Sequence, residues 1–199
     1  GKIISYLALK DKIDICVRTG SVNAAHTVIH KGKVLKLHLI PSGFVNENCR
    51  LLLGAGVNIH IPQLLKEIKE TNTGNRLGID PQCSIIEEKH TIQDRTSSHL
   101  KGVIGTTGWG VGPAIEERVR RTAKLAKDIP ELKQYLTDVA LEANEAIEKG
   151  KKVLIEGVQG LYLSLFHGTY PYVTGRDTSA SAVCSEAGVG PTRVDNVLI

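Results

Sequence analysis

"KKVLIEG", Lys151 to Gly157, is a short apolar run that ends at Gly157 and follows directly on a long helical pattern. Its apolar residues are consecutive rather than alternating. Both faces of such a strand must be covered, which is the habit of a parallel sheet between helix layers. Working outward, "RLLLGAGV" (50–57) has the same character and runs into a glycine turn, and "IDICV" (13–17) is a compact apolar strand. "RLGI" (76–79) and "CSIIE" (83–87) are two more apolar segments, and "VDNVLI" (194–199) reads as a further buried strand.

Helical patterns separate these strands. Lys2 to Lys10 is a short helix, and "IPQLLKEIKE" (61–70) opens on Pro62 with Leu64, Leu65 and Ile68 on one face. Another helix is expected to start near Pro113 and continue through "AIEERVRRTAKLAKD". "PELKQYLTDVALEANEAIEKG" (130–150) is the clearest helix, with proline at its start and Gly150 at its end. "TSASAVCSEAG" (178–188) is a helix of small residues. "HTVIHKGKVLKLHLIP" alternates on both sides of Lys31-Gly32, the pattern of a β-hairpin. The fold class expected is α/β: a largely parallel central sheet flanked by helices, with a β-hairpin excursion. Residues 1–199 are expected to form a single α/β domain, an incomplete part of a longer catalytic domain. The opening without methionine and the strand-like ending suggest a fragment.

Composition narrows the function classes. With 41% apolar and 23% charged residues the chain is globular in character, and no apolar run approaches the roughly 20 residues of a membrane span. Four scattered cysteines, Cys16, Cys49, Cys83 and Cys184, have no C-x-x-C spacing, which fits reduced thiols and a cytoplasmic location. A net charge of +4 suits an anionic small substrate, and 4% aromatics leaves few stacking platforms for nucleic acid. Neither nucleic acid nor a membrane is an expected partner.

Four stretches carry candidate chemistry. "IGTTGWGVGPA" (104–114) places four glycines before a helix start, where backbone N–H groups and the Thr106 and Thr107 hydroxyls can meet an anion. It matches neither the Walker nor the dinucleotide fingerprint, so a plain tight turn stays open. Arg118, Arg120 and Arg121 fall on successive helix faces; a solvated basic surface is the ordinary reading, with room for one phosphate clamp. "SVNAAHT" (21–27) sets Asn23 and His26 in a loop between strands, where an imidazole can donate to a charged leaving group. His30 and His38 fall at outward hairpin positions, and His90 and His99 lie in polar segments, so these four read as structural or surface residues. Gln159 follows the strand end at Gly157, where ligands of open parallel sheets gather and an amide can read a heterocycle. The segment beyond it, Thr169 to Thr174, forms a rigid wall or a surface loop stapled by aromatics.

Taken in order, "NAAHT", "GFVNENCRLLLGAGV", "IGTTGWGVGPA", "EGVQG", "GTYPYVT" and "GVGPTRVD" resemble the adenylosuccinate synthetase family through essentially the whole chain. The opening "GKI" resembles the tail of that family's glycine-rich GTP loop. The resemblance implies a fold akin to P-loop NTPases and a GTP-dependent ligase that joins L-aspartate to inosine monophosphate (IMP), with Mg²⁺ as cofactor. It implies that a carboxylate of the GTP loop removes the purine N1 proton. The 6-oxygen then takes the γ-phosphoryl group, and the aspartate amine displaces it. His26 resembles the family's general acid. The IMP-binding residues implied are Asn23, Ala24, Ala25, His26, Thr107, Arg121, Gln159 and Thr174, with Thr107 and Arg121 on the 5′-phosphate. Arg121 would reach it from the other subunit of a homodimer. Gly1, Lys2, Ala25, His26 and Thr27 would lie at GTP, and the Ala25 carbonyl at Mg²⁺.

Three positions depart from the family pattern. Ala25 stands where glycine is usual, Trp109 where arginine is expected, and "TGRDTS" follows where a serine-asparagine version is commoner. The base carboxylate, the aspartate-binding arginines and the guanine-specificity region are not among these residues, so a polypeptide confined to them is expected to be inactive. Two other readings compete. One is a different GTP-dependent phosphoryl-transfer enzyme. The other is a basic nucleic-acid-binding module built around Arg118, Arg120, Arg121 and Lys124, with steep salt dependence.

Overall fold

The computed structural model describes all of residues 1–199. Its elements are α1 (Lys2–Lys10), β1 (Ile15–Arg18), β2 (His26–His30), β3 (Lys33–Leu37), β4 (Arg50–Leu53), β5 (Asn58–Ile59) and α2 (Ile61–Thr71). There follow β6 (Leu77–Ile79), β7 (Ser84–Ile85), α3 (Glu88–Thr96), α4 (Val111–Arg120), α5 (Val139–Glu148), β8 (Val153–Glu156) and α6 (Ala180–Ala187). The central sheet has strand order β6-β4-β1-β8, every neighbour parallel. β2 and β3 form the antiparallel hairpin around Lys31-Gly32, while β5 and β7 form a separate parallel pair.

The consecutive apolar residues do what a two-faced strand requires. Cys16, Leu51 and Leu53 point into one core with Leu64, Ile68, Val111 and Ala114. Ile15, Val17 and Leu52 point into the other, with Val139, Ala143 and Ala146 of α5 and Ala187 of α6. Side-chain caps fix the helix starts: His60 accepts from the Gln63 N–H, Asp138 from Leu141 and Ser179 from Ala182. All four cysteines are free and buried. No helix is long and apolar enough to cross a membrane.

Three expectations are corrected. The helix near Pro113 begins earlier, at Val111, and ends at Arg120, with Arg121 left-handed at φ 66°. The continuation toward Asp128 is lost because the backbone there pairs instead: the Ile85 N–H donates to the Lys124 carbonyl, and Leu125 bridges Ser84. The span 130–150 is not one helix. Pro130–Tyr135 is a 3-10 turn, Leu136 bridges Ile79 at the sheet edge, and Asp138 restarts the helix as a cap. Finally, 194–199 pairs with no strand, and Val197, Leu198 and Ile199 are exposed.

α3 has no counterpart among the expected elements. Its sequence is polar and its one large aliphatic residue, Ile92, is exposed. It is held by its cap, where His90 Nδ1 accepts the Glu87 N–H at 3.0 Å, and by burying His90 and Asp94.

Candidate functional site

β1 and β8 are in register, with Arg18 beside Glu156 at their carboxyl ends. A cavity of about 190 Å³ opens there, lined by Gly1, Arg18, Ala24, Ala25, His26, Glu156, Gly157, Val158 and Gln159. This is the end of a parallel sheet where ligands collect, because strand ends and helix starts leave backbone groups unpaired.

Charge at the cavity is built by a buried pair. Arg18 Nη1 lies 3.1 Å from Glu156 Oε1, and both side chains are 3% exposed. Glu156 also accepts from the Ser42 N–H (2.8 Å) and the Ser42 hydroxyl (2.6 Å). Burial opposes its ionisation, but Arg18 and these hydrogen bonds hold the carboxyl below its usual range. Arg18 donates to the Ala24 carbonyl (2.7 Å) and the His38 carbonyl (3.1 Å), and so fixes the loop that carries Asn23 to His26.

His26 begins β2 at the cavity wall. Burial, and next the Arg18 guanidinium, push its pKa down to about 3, so the imidazole is neutral. Both of its ring nitrogens and the Asn23 Oδ1 are buried without a hydrogen-bond partner. Such atoms cost about 1–3 kcal/mol each when left unmet, which makes them candidates for a polar ligand or a bound water.

The structure therefore brings together Gly1, Ala24, Ala25, His26 and Gln159, the last with a left-handed φ of 70°. Asn23 sits in the same turn, and Thr27 follows in β2 with its carbonyl against Gly1. Lys2 is exposed and lines a different depression, beside α1 and the hairpin. Thr107, Arg121 and Thr174 do not line the cavity. Thr107 and Arg121 are exposed, whereas Thr174 is half-buried and donates its N–H to the Leu163 carbonyl. Sequence reading missed Arg18 and Glu156. The available signal was a charged residue closing each of two apolar strands.

The glycine loop is anchored by α3. The Gly110 N–H donates to Asp94 (2.7 Å) and the Gly108 carbonyl accepts from Arg95 (3.0 Å). Gly110 has φ 80°, and a Cβ there would meet the Thr91 nitrogen at 2.7 Å, so only glycine fits. His38, expected to face outward, is half-buried instead, because Trp109 packs on its ring and its Nδ1–H donates to the Val22 carbonyl.

A second polar cluster, Glu87, His90 and Glu117, has ligand-type atoms within 4.8 Å of one another. Because His90 Nδ1 accepts from the Glu87 N–H, its proton sits on Nε2, 2.9 Å from Glu117. The Lys89 ammonium already lies 2.8 Å from Glu117 and 3.1 Å from Glu87. This is an ion-pair cluster tying α3 to α4.

The chain is similar to known proteins along its whole length. The family model described as adenylosuccinate synthetase matches residues 1–131 and 123–199. An adenylosuccinate synthetase of Archaeoglobus fulgidus is 54% identical over 200 residues, covering 100% of this chain and 59% of that protein. One of Pyrococcus horikoshii is 50% identical, covering 100% and 60%. The chain thus spans about 60% of the length of the curated relatives it matches. Among solved structures, fully ligated adenylosuccinate synthetase from Plasmodium falciparum superposes with TM-score 0.86 at 28% identity, over 98% of this chain and 56% of that one. A cyanophage S-2L succinoaminodeoxyadenylate synthetase shares the fold, at TM-score 0.84 and 24% identity, over 96% of this chain and 56% of that one. The chain belongs to the adenylosuccinate synthetase family.

Proposed function

We propose that this chain supplies the IMP site and part of the GTP site of a ligase that joins L-aspartate to IMP at the expense of GTP. The observation that carries the reading is the set of unpartnered buried atoms, Asn23 Oδ1 and both His26 ring nitrogens, beside the cavity at the ends of β1 and β8. In this reading Gln159 pairs with the hypoxanthine edge, while Thr107 and Thr174 hold the 5′-phosphate. Arg121, exposed and turned out by its left-handed backbone, reaches that phosphate in the partner subunit of a homodimer. Gly1, Ala25, His26 and Thr27 face GTP, while Lys2 follows Gly1 in the chain but lines the neighbouring depression. The Ala25 carbonyl is a hard oxygen donor of the kind Mg²⁺ takes, and the ion would neutralise phosphate charge there. The protein is assigned to the cytoplasm.

The chemistry balances in two displacements. The 6-oxygen of deprotonated IMP forms a bond to the γ-phosphorus, and the β–γ bridging bond breaks to release GDP. The aspartate nitrogen then bonds C6, the C6–O bond breaks, phosphate leaves with the former 6-oxygen, and the amine loses a proton. Positioning and charge stabilisation are what such transfers demand of a protein. A neutral His26 is a poor acid on its own. An entering phosphoryl group places negative charge against Arg18's positive field and raises the imidazole pKa, so the proton is available when charge builds on the transferring group.

The test is phosphate release by the purified full-length protein. Release is expected only with IMP, L-aspartate and GTP present together. Release indifferent to IMP would instead support a different GTP-dependent phosphoryl-transfer enzyme.

A further inference from the structure

Trp109 is the one tryptophan of the sequence, and its ring lies between two imidazoles. The His38 ring is 5.2 Å away at 53°, and the His60 ring 5.4 Å away at 76°. The backbone on either side of Trp109 is pinned to α3 through Gly108 and Gly110. His38 is pinned as well: its N–H donates to Glu67 Oε1 at 2.7 Å, and its carbonyl accepts from Arg18 at 3.1 Å. What remains to its ring is a donation from Nδ1 to the Val22 carbonyl, at 2.5 Å. Val22 is fully buried and directly precedes Asn23. Two loops far apart in sequence are therefore joined through one pair of tilted, packed rings.

We propose that Trp109 is a positioning residue which, through the His38 ring, couples the Thr106–Thr107 loop to the Asn23–His26 loop. The geometry favours a coupling role over a merely space-filling one. Each partner is fixed on its far side, so a shift of the indole is passed to the imidazole rather than absorbed. The hydrogen bond to Val22 then carries that shift to the residue before Asn23. The inference rests on the functional reading above in one respect: Thr107 and His26 must serve the same substrate. Seating a phosphate at Thr107 would then fix His26 for the transfer step.

Amide hydrogen exchange tests the coupling without any ligand. Trp109→Leu is expected to speed exchange of residues 21–26 about tenfold while leaving α5 (139–148) unchanged, and Trp109→Phe, which keeps a ring, to restore most of the protection. Unchanged exchange at 21–26, or equal acceleration in both segments, would overturn the coupling. Kinetics of the full-length protein test its consequence. Trp109→Leu and His38→Leu are each expected to lower kcat about tenfold, with the double variant no slower than the worse single one. Fully multiplicative losses would show two independent effects and overturn the relay. If the unsubstituted full-length protein forms no adenylosuccinate, the functional reading falls, whereas the exchange result still decides the coupling.

Discussion

Arg18 and Glu156 are register partners on β1 and β8, and their side chains form a buried ion pair of 3.1 Å at the strand ends. Removing one member leaves the other charged and buried, and this is worse than removing both. Arg18→Leu is expected to lower stability by about 3–5 kcal/mol, read from urea unfolding. Adding Glu156→Leu to it should recover part of that loss. A single variant within about 0.5 kcal/mol of the parent would show that the pair does not hold the strand ends.

In the proposed function His26 delivers a proton more than it holds substrate. His26→Ala is expected to cut kcat by about 100-fold or more while KM for IMP moves only a few-fold. Steady-state kinetics at saturating GTP and aspartate separate the two. An unchanged kcat with a raised KM would make His26 a binding residue only.

Two glycines of the same loop should answer oppositely to alanine. Gly110→Ala forces a Cβ to within 2.7 Å of the Thr91 nitrogen at a positive φ, so a loss of about 2–3 kcal/mol is expected. Gly112, inside α4, has nothing within 4 Å of an added Cβ. There alanine should be neutral or stabilising by up to about 1 kcal/mol. Thermal unfolding distinguishes them, and equal shifts would contradict the α3–loop packing.

Asp177 organises the turn before α6. It accepts from the Ser164 hydroxyl and from the Ser179 hydroxyl and N–H, and the Ser179 hydroxyl does most to hold its pKa at about 2. The folded value lies below the unfolded one of about 3.9, so the ionised group stabilises the fold above that pH. The contribution disappears as pH falls through the folded value. The Tm difference between the parent and Asp177→Asn should be constant near neutrality and shrink from about pH 4 downward. A difference that grew on acidification would reverse the assignment.

Much of the architecture was legible because local and tertiary signals agreed. α1, the hairpin, α2 and α6 each pair an apolar pattern with an end signal such as Lys31-Gly32, Pro62 or Gly188. The errors lie where tertiary pairing overrode helix pattern: Leu125 and Leu136 were drawn out to bridge Ser84 and Ile79. α3 was invisible because its stability comes from burying His90 and Asp94, not from an apolar stripe. In the site, His26 and Gln159 stood out as polar residues next to glycines and small residues. Arg18 and Glu156 did not, since each reads as an ordinary strand terminus until the register sets them side by side. The sequence around Trp109 carries no sign of its role, which lies in the His38 ring that faces it.

Phosphoryl transfer to the 6-oxygen of IMP is the central claim, and an isotope reports it directly. With IMP carrying ¹⁸O at position 6, L-aspartate and unlabelled GTP, the phosphate released is expected to contain the label, read by mass spectrometry. Unlabelled phosphate formed alongside adenylosuccinate would mean that GTP was hydrolysed by water, and would contradict the account.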